Sequence, residues 1–345
     1  EDAPKPMSLA DLTAAIDAAS KDDKIAGIYL DCRGVQAMPA SLEYVREKLF
    51  KFKESGKWIV AYADSYAQAD YYLASAADSI WVNPLGSVDI HGMGGTTLYY
   101  KNLFDKLGVE MQVFRVGKFK SAVEPYIETT SSEANREQTM AYINGMWGKM
   151  AEDMAASRAV TVADVNAWAD ELIAFDDAST YVGRNIVTGL NYRHVAESQI
   201  KSMVGIDEDE DLRTISPDSY VKTIRADKSK HKIALIYADG AIYDTGRDGV
   251  VSEKLVPVIL DIADDDDIKA VVLRVNSPGG SAFASEQIWE ALETVKSKGK
   301  TFYVSMGDMA ASGGYYISCG ADKIFAQPTT LTGSIGIYGL VPNIN

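Results

Sequence analysis

The sequence has 345 residues, 47% of them apolar and 24% charged, which suits a globular chain large enough for two cores. Its formal net charge of −15, with no basic stripe, argues against a nucleic-acid partner. No apolar run reaches the length of about eighteen residues that a membrane-crossing helix needs. The opening EDAPKPMS has neither the charged nor the apolar region of a signal peptide.

An internal repeat organises the chain. DDKIAGIYLDCRG (22–34) returns as DDDIKAVVLRVNSPGG (265–280), and SGKWIVAY (55–62) as KGKTFYVS (298–305). YYLASAADSIWVNP (71–84) returns as YYISCGADKIFAQP (315–328), and GSVDIHG (86–92) as GSIGIYG (333–339). Each copy reads strand–helix–strand–helix–strand, which predicts parallel βαβ connections and an α/β fold.

After the first copy, residues 96–108 predict a helix, 109–117 a strand, and GKFKSAVEPY (117–126) a loop closed by Pro125. SSEANREQ then opens a long helix whose Met140, Ile143, Trp147, Met150 and Met154 share one face. Residues 162–173 and 192–205 add two helices, and 206–230 read as a linker before a strand in 230–244. The acidic run Asp207–Asp211 fails the calcium-loop template, with Leu212 where a glycine belongs. It is expected to be a solvated loop, as is the run Asp264–Asp267. No metal site and no cofactor are expected, and GSIGIYG lacks the dinucleotide fingerprint. Cys32 and Cys319 lie in apolar segments and are expected to be core thiols.

The two copies differ where chemistry would occur. In the second, TFYVSM (301–306) predicts a buried strand and YYISCGA a helix. Ser312 stands between them, flanked by Ala310, Ala311, Gly313 and Gly314. A hydroxyl among small residues at a helix start suits an acyl-transfer nucleophile, because free N–H groups there favour negative charge. It suits a helix N-cap equally well. Upstream, the strand IKAVVLRVN (268–276) runs into SPGGS, and the helix after it puts Ile288, Leu292 and Val295 on one face. An N–H of this glycine pair, together with that of Gly313, could form an oxyanion hole. The first copy has CRGVQ in place of SPGG and Gln68 opposite Ser312, so it is read as scaffold.

A nucleophilic serine needs a base. Of the three histidines, His91 is in the copy without the serine, and its counterpart beside Ser312 is Tyr338. His194 and His231 lie in polar surroundings. A lysine can serve if burial lowers its pKa from about 10.4 toward neutrality. Lys118 and Lys120, in GKFKSAV, are both candidates. Two apart in an extended segment they would point the same way, so the local pattern does not separate them.

RVNSPGGS, SMGDMAASGGYY, PTTLTGSIGIYG, YYLASAADSIWVNPLGSVDIHG and FRVGKFKSAVEPY together resemble signal peptide peptidase A (protease IV), a bacterial family of Ser–Lys serine peptidases. The resemblance implies two tandem ClpP/crotonase-like repeats with helical extensions. It implies Ser312 as nucleophile, Lys120 as the base and Ser334 as a group orienting the lysine. Gly279 and Gly313 are the expected oxyanion donors. It also implies cleaved signal peptides or other extended apolar segments as substrates, a homo-oligomer such as a tetramer, and a site on the periplasmic side of the inner membrane. The family's N-terminal anchor has no counterpart here, and the second copy stops soon after GSIGIYG, so a trimmed fragment is expected. The expected domains are 1–205, a degenerate repeat plus the lysine-bearing arm; 206–230, a linker; and 231–345, the nucleophile-bearing repeat. A peptide-binding scaffold that does not cut, or a crotonase-like acyl-CoA enzyme, are the alternatives.

Overall fold

The computed structural model describes residues 7–224, 229 and 231–344. Most of EDAPKPMS, and residues 225–228 and 230 of the expected linker, lie outside the described residues. The chain forms two compact units, Glu1–Gly92 with Trp147–Asp227, and Met93–Met146 with Lys228–Asn345.

The first copy contributes α1 (Leu9–Ala19), β1 (Gly27–Asp31), α2 (Pro39–Lys53), β2 (Trp58–Ala63), α3 (Gln68–Ala74) and β3 (Ser79–Val82). The arm holds α4 (Lys101–Leu107), β4 (Val109–Arg115), α5 (Glu124–Ile127) and α6 (Glu133–Arg158). Then come α7 (Val162–Asp170), α8 (Ser179–Gly183), β5 (Gly189–Leu190), α9 (Arg193–Val204) and α10 (Pro217–Val221). The second copy supplies β6 (Lys232–Asp239), β7 (Ile242–Tyr243), β8 (Val250–Val251), α11 (Ser252–Asp264), β9 (Ile268–Ser277) and α12 (Ala282–Ser297). It ends with β10 (Thr301–Ala311), α13 (Gly313–Tyr316), β11 (Lys323–Phe325), β12 (Leu331–Gly333) and β13 (Tyr338–Ile344).

The first unit is built on a sheet of order β1-β2-β3-β5, parallel throughout. Nearly all of WIVAYA is buried, as a central parallel strand covered on both faces requires. Helix α2 buries Leu42, Val45, Leu49 and Phe52, a helical spacing, each side chain contributing about 1.5–3 kcal/mol. Ala196 and Ile200 of α9 pack on Val60, Tyr62 and Trp81.

The second unit has a parallel sheet of order β11-β10-β9-β6, with β12 also on β10. Its core joins Val271, Leu273 and Val275 of β9 to Phe302 and Val304 of β10, and to Ile288, Leu292 and Val295 of α12. The order β9-β10-β11 repeats β1-β2-β3, and the register repeats too. Gly27 pairs with Trp58 in one unit and Ala270 with Thr301 in the other, at the same interval. The fixing bonds also recur. Asp78 accepts from the Ile59 N–H, as Asp322 does from that of Phe302. Lys57 Nζ donates to the carbonyls of Ala19 and Asp22, as Lys300 Nζ does to those of Ile262 and Asp265.

The division into units differs from the expected boundaries in a way that bears on the site. Residues 93–146 belong with the second copy, because β4 pairs antiparallel with β13 along its whole length, from Val109–Ile344 to Arg115–Tyr338. The expected linker is not wholly extended. It contains α10, which packs on α1, with Tyr220 donating to Asp22 at 2.9 Å. In the expected Met/Trp stripe of α6, Met150 and Met154 are buried, but Met140 is exposed. Cys32 is buried, which pushes its thiol up to about 12. Cys319 is exposed, contrary to expectation: after α13 ends at Tyr316, Ile317 and Ser318 stay buried but Cys319 does not.

Candidate active site

β10 continues beyond the TFYVSM read as a strand and delivers Ser312 directly from its last residue, Ala311. α13 begins at Gly313, two residues before the expected helix, and has only 4 residues, with Ser312 as its N-cap. Ser312 holds φ 53° and ψ −116°, a backbone that side chains with a β-carbon rarely adopt. Its N–H donates to the Gly333 carbonyl at 2.8 Å, and its carbonyl accepts from the Tyr316 N–H at 2.9 Å. β12 and the first turn of α13 therefore hold Ser312 in place from both sides.

The SPGG turn lies directly against Ser312. A β-carbon on Gly279, whose φ is +93°, would stand 2.5 Å from the Gly313 nitrogen and 2.8 Å from the Ser312 β-carbon. Only glycine permits that approach. The Gly279 N–H is already used, donating to Ser277 Oγ at 3.1 Å. Gly280 lies between two bonds to β7: the Gly279 carbonyl accepts from Ile242, and Ser281 donates to the Ile242 carbonyl. The Gly280 N–H itself has no acceptor among the described residues, and neither has that of Gly313. The Gly280 nitrogen is 3.2 Å from where a Gly313 β-carbon would stand. The free pair beside Ser312 is thus Gly280 and Gly313, not Gly279 and Gly313 as expected. The second glycine of SPGG was the available signal. Its significance depends on which way the Ile242 pairing turns each peptide.

Lys120 follows β4 through a bend at residues 116–118. It is 8% exposed. Its Nζ lies 3.1 Å from Ser312 Oγ, 3.1 Å from Ser334 Oγ and 2.8 Å from the Ser334 carbonyl oxygen. The Tyr338 ring is 5.9 Å away. Ser334, with φ 52°, shares with Ser312 a positive φ that residues other than glycine rarely adopt. Burial holds the Lys120 amine below its ordinary 10.5, because desolvation disfavours the charged form.

A neutral amine has two N–H donors and one lone pair. The Ser334 carbonyl can only accept, so it takes one N–H. Ser334 Oγ can take the other, leaving the lone pair for the Ser312 hydroxyl proton. Ser334 therefore holds the Lys120 amine through its carbonyl as well as its hydroxyl; the carbonyl is a contact that residue type alone could not reveal.

Lys118 has different surroundings. It is exposed, lies over the Phe119 ring and approaches Glu137 at 4.0 Å. The bend removes the shared direction that an extended segment would have given the two lysines. His91 lies in the first unit, with Nδ1 3.0 Å from Asp89 Oδ1. His194 stacks on Tyr192, and His231 is exposed. Gln68 starts α3 in the first unit. It donates to the Gly92 carbonyl and accepts from the N–H groups of His91 and Gly92. An amide bound to backbone thus stands where the second copy starts its helix after a hydroxyl.

A family model described as Peptidase family S49 matches residues 51–183 and 294–345. Protease 4 of Haemophilus influenzae is 37% identical over 99% of this chain and 58% of its own length. Protease 4 of Salmonella typhi is 40% identical over 98% of this chain and 56% of its own. The chloroplastic Serine protease SPPA of Arabidopsis thaliana is 28% identical over 96% of this chain and 50% of its own. The chain therefore spans little more than half the length of these relatives. Among solved structures, a protein given as an enoyl-CoA hydratase/isomerase of Acinetobacter baumannii matches 62% of this chain and 73% of its own, with TM-score 0.32 and 11% identity. A likeness that loose adds nothing to the fold described above.

Proposed function

The chain belongs to peptidase family S49, and from that premise we propose that it is a serine endopeptidase working through a Ser312–Lys120 dyad. The observation that carries this reading is the 3.1 Å separation of Lys120 Nζ from Ser312 Oγ, with Ser334 holding the amine on its other side.

Neutral Lys120 takes the Ser312 hydroxyl proton as Oγ bonds to the substrate carbonyl carbon. The carbonyl oxygen becomes an oxyanion, stabilised by the N–H groups of Gly280 and Gly313. The lysine, now an ammonium, gives its proton to the leaving amine as the C–N bond breaks. An acyl-enzyme on Ser312 remains. Lys120 then deprotonates water, which attacks the acyl carbon, and the proton returns to Ser312 as its ester bond breaks.

The substrates proposed are extended apolar peptides such as cleaved signal peptides. The family resemblance supplies this class, and exposed Phe119, Ile335 and Ile337, beside Lys120 and Ser334, suit it. A periplasmic location at the inner membrane and self-association are proposed on the same resemblance. Among the described residues no helix is long and apolar enough to cross a membrane.

A fluorophosphonate probe tests the reading. It should label Ser312, with labelling lost in Lys120→Ala, and the unlabelled protein should cleave apolar peptides. Absence of label on a folded wild-type chain would favour a scaffold or an acyl-CoA enzyme, neither of which needs an activated Ser312.

A further inference from the structure

Glu124 has no part in the chemistry above, yet its side chain is 1% exposed. A buried carboxylate is costly unless it is fully bonded, and this one is richly supplied. Its Oε1 accepts from Ser132 Oγ at 2.6 Å, with Arg115 NH1 at 3.6 Å. Its Oε2 accepts from the Ser132 N–H at 3.2 Å and from Asn135 Nδ2 at 3.1 Å. Ser132 in turn caps α6, its Oγ accepting from the Asn135 N–H at 3.1 Å.

The position of these bonds gives them their meaning. Arg115 ends β4, where the loop carrying Lys120 begins, and Glu124 stands where that loop ends. One carboxylate therefore joins the entrance and exit of residues 116–123 and anchors both to the start of α6. Ser121, next to the lysine, adds a further tie by accepting from Gln138 Nε2 on α6 at 2.7 Å.

Resting on the peptidase reading, we propose that Glu124 is a positioning residue of the dyad, closing the loop so that Lys120 stays dry and within reach of Ser312. It acts through shape and not through its charge. The polar groups facing Lys120 are Ser312 and Ser334, with the Tyr338 ring, and the charge facing Glu124 is Arg115. Lys118 pairs outward with Glu137, and Arg136 reaches Thr130. The two modes of action have opposite signs. Losing a nearby negative charge would ease loss of the lysine proton and move a pH–rate midpoint down. Opening the loop would hydrate the amine and move the midpoint up.

The test is the pH dependence of fluorophosphonate labelling at Ser312 in the full chain, with each rate divided by the folded fraction. Glu124→Ala is expected to label at least about tenfold more slowly at neutral pH, with its midpoint about one pH unit higher. Glu124→Gln can still accept from the Ser132 N–H and Asn135, and can donate to Ser132 Oγ. It should restore most of the rate and the wild-type midpoint. Ser132→Ala, which removes its hydroxyl's bond to Glu124 together with the α6 cap, should shift the midpoint upward by less, and it carries the test if Glu124→Ala does not fold. An unmoved or lowered midpoint in these variants, with wild type labelled normally, overturns the positioning role alone. A wild-type chain that never labels overturns the peptidase reading and this proposal with it.

Discussion

Ser312 and Ser334 both hold a positive φ, 53° and 52°, and both reach the one amine of Lys120. Such a conformation costs about 1–3 kcal/mol at a residue with a β-carbon and persists only where its surroundings over-determine it. At Ser312 the surroundings are the Gly333 bond and the α13 turn. At Ser334 the backbone conformation presents the carbonyl and hydroxyl together. Ser334→Ala keeps the carbonyl bond and loses the other, so peptide cleavage should fall by about tenfold. Lys120→Ala should lose about a hundredfold to ten-thousandfold, the contribution of a general base. Lys118→Ala, on the exposed side of the bend, should stay near wild type. Comparable losses for Lys118→Ala and Lys120→Ala would contradict the assignment.

The pH dependence has a defined sign. In the proposed mechanism the working base is neutral Lys120, so cleavage should rise with pH through the folded pKa of that amine, which burial holds below 10.5. Stability follows by linkage. Between the folded pKa and 10.5 the unfolded chain binds more protons at this site, so stability rises with pH across that window. Below the window the burial penalty on the ammonium is present in full. Lys120→Met should therefore raise Tm most at pH values below the folded pKa, with the gain shrinking as pH approaches 10.5. A Tm gain that grows with pH would show that the amine is not a buried base.

Gly279 makes the tightest contact of the SPGG turn with Ser312 and Gly313. Gly279→Ala would place a methyl 2.5 Å from the Gly313 nitrogen at φ +93°, displacing the turn that carries the Gly280 N–H. Labelling of Ser312 should fall by about a hundredfold or more, the scale of losing one oxyanion donor. Stability should drop by about 1–3 kcal/mol. Wild-type labelling in this variant would remove the turn from the mechanism.

The two cysteines give a direct check on burial. Cys319 should react with a thiol reagent at once in the folded protein. Cys32, buried and with its thiol pushed up to about 12, should react only on unfolding. Equal rates under native conditions would contradict the packing of the first sheet.

The repeat was legible in the sequence because its signals are local: apolar strands, breakers, and the paired Asp78 and Asp322 at matching places. The close backbone setting of Ser312 was legible because small residues must surround a hydroxyl that other backbone approaches. Three features were not legible, each for a physical reason. The distinction between Lys118 and Lys120 depends on a bend at 116–118. The use of Gly280 over Gly279 depends on how Ile242 orients two successive peptides. The placement of the arm depends on β4 meeting β13, a pairing between segments more than two hundred residues apart.

That pairing also bears on how the chain is made. Lys120 emerges from the ribosome long before Ser312, and β4 has no strand partner until residues 338–344 follow. Contacts so distant in sequence form late, after nearer ones have paid the entropy of closing the chain. The first unit, by contrast, can assemble its sheet once residue 190 is out. A nascent or partly folded chain would therefore carry an exposed, ordinary, protonated lysine and an unassisted serine. On the proposed reading, the pairing of Lys120 with Ser312 would wait until β13 has joined β4.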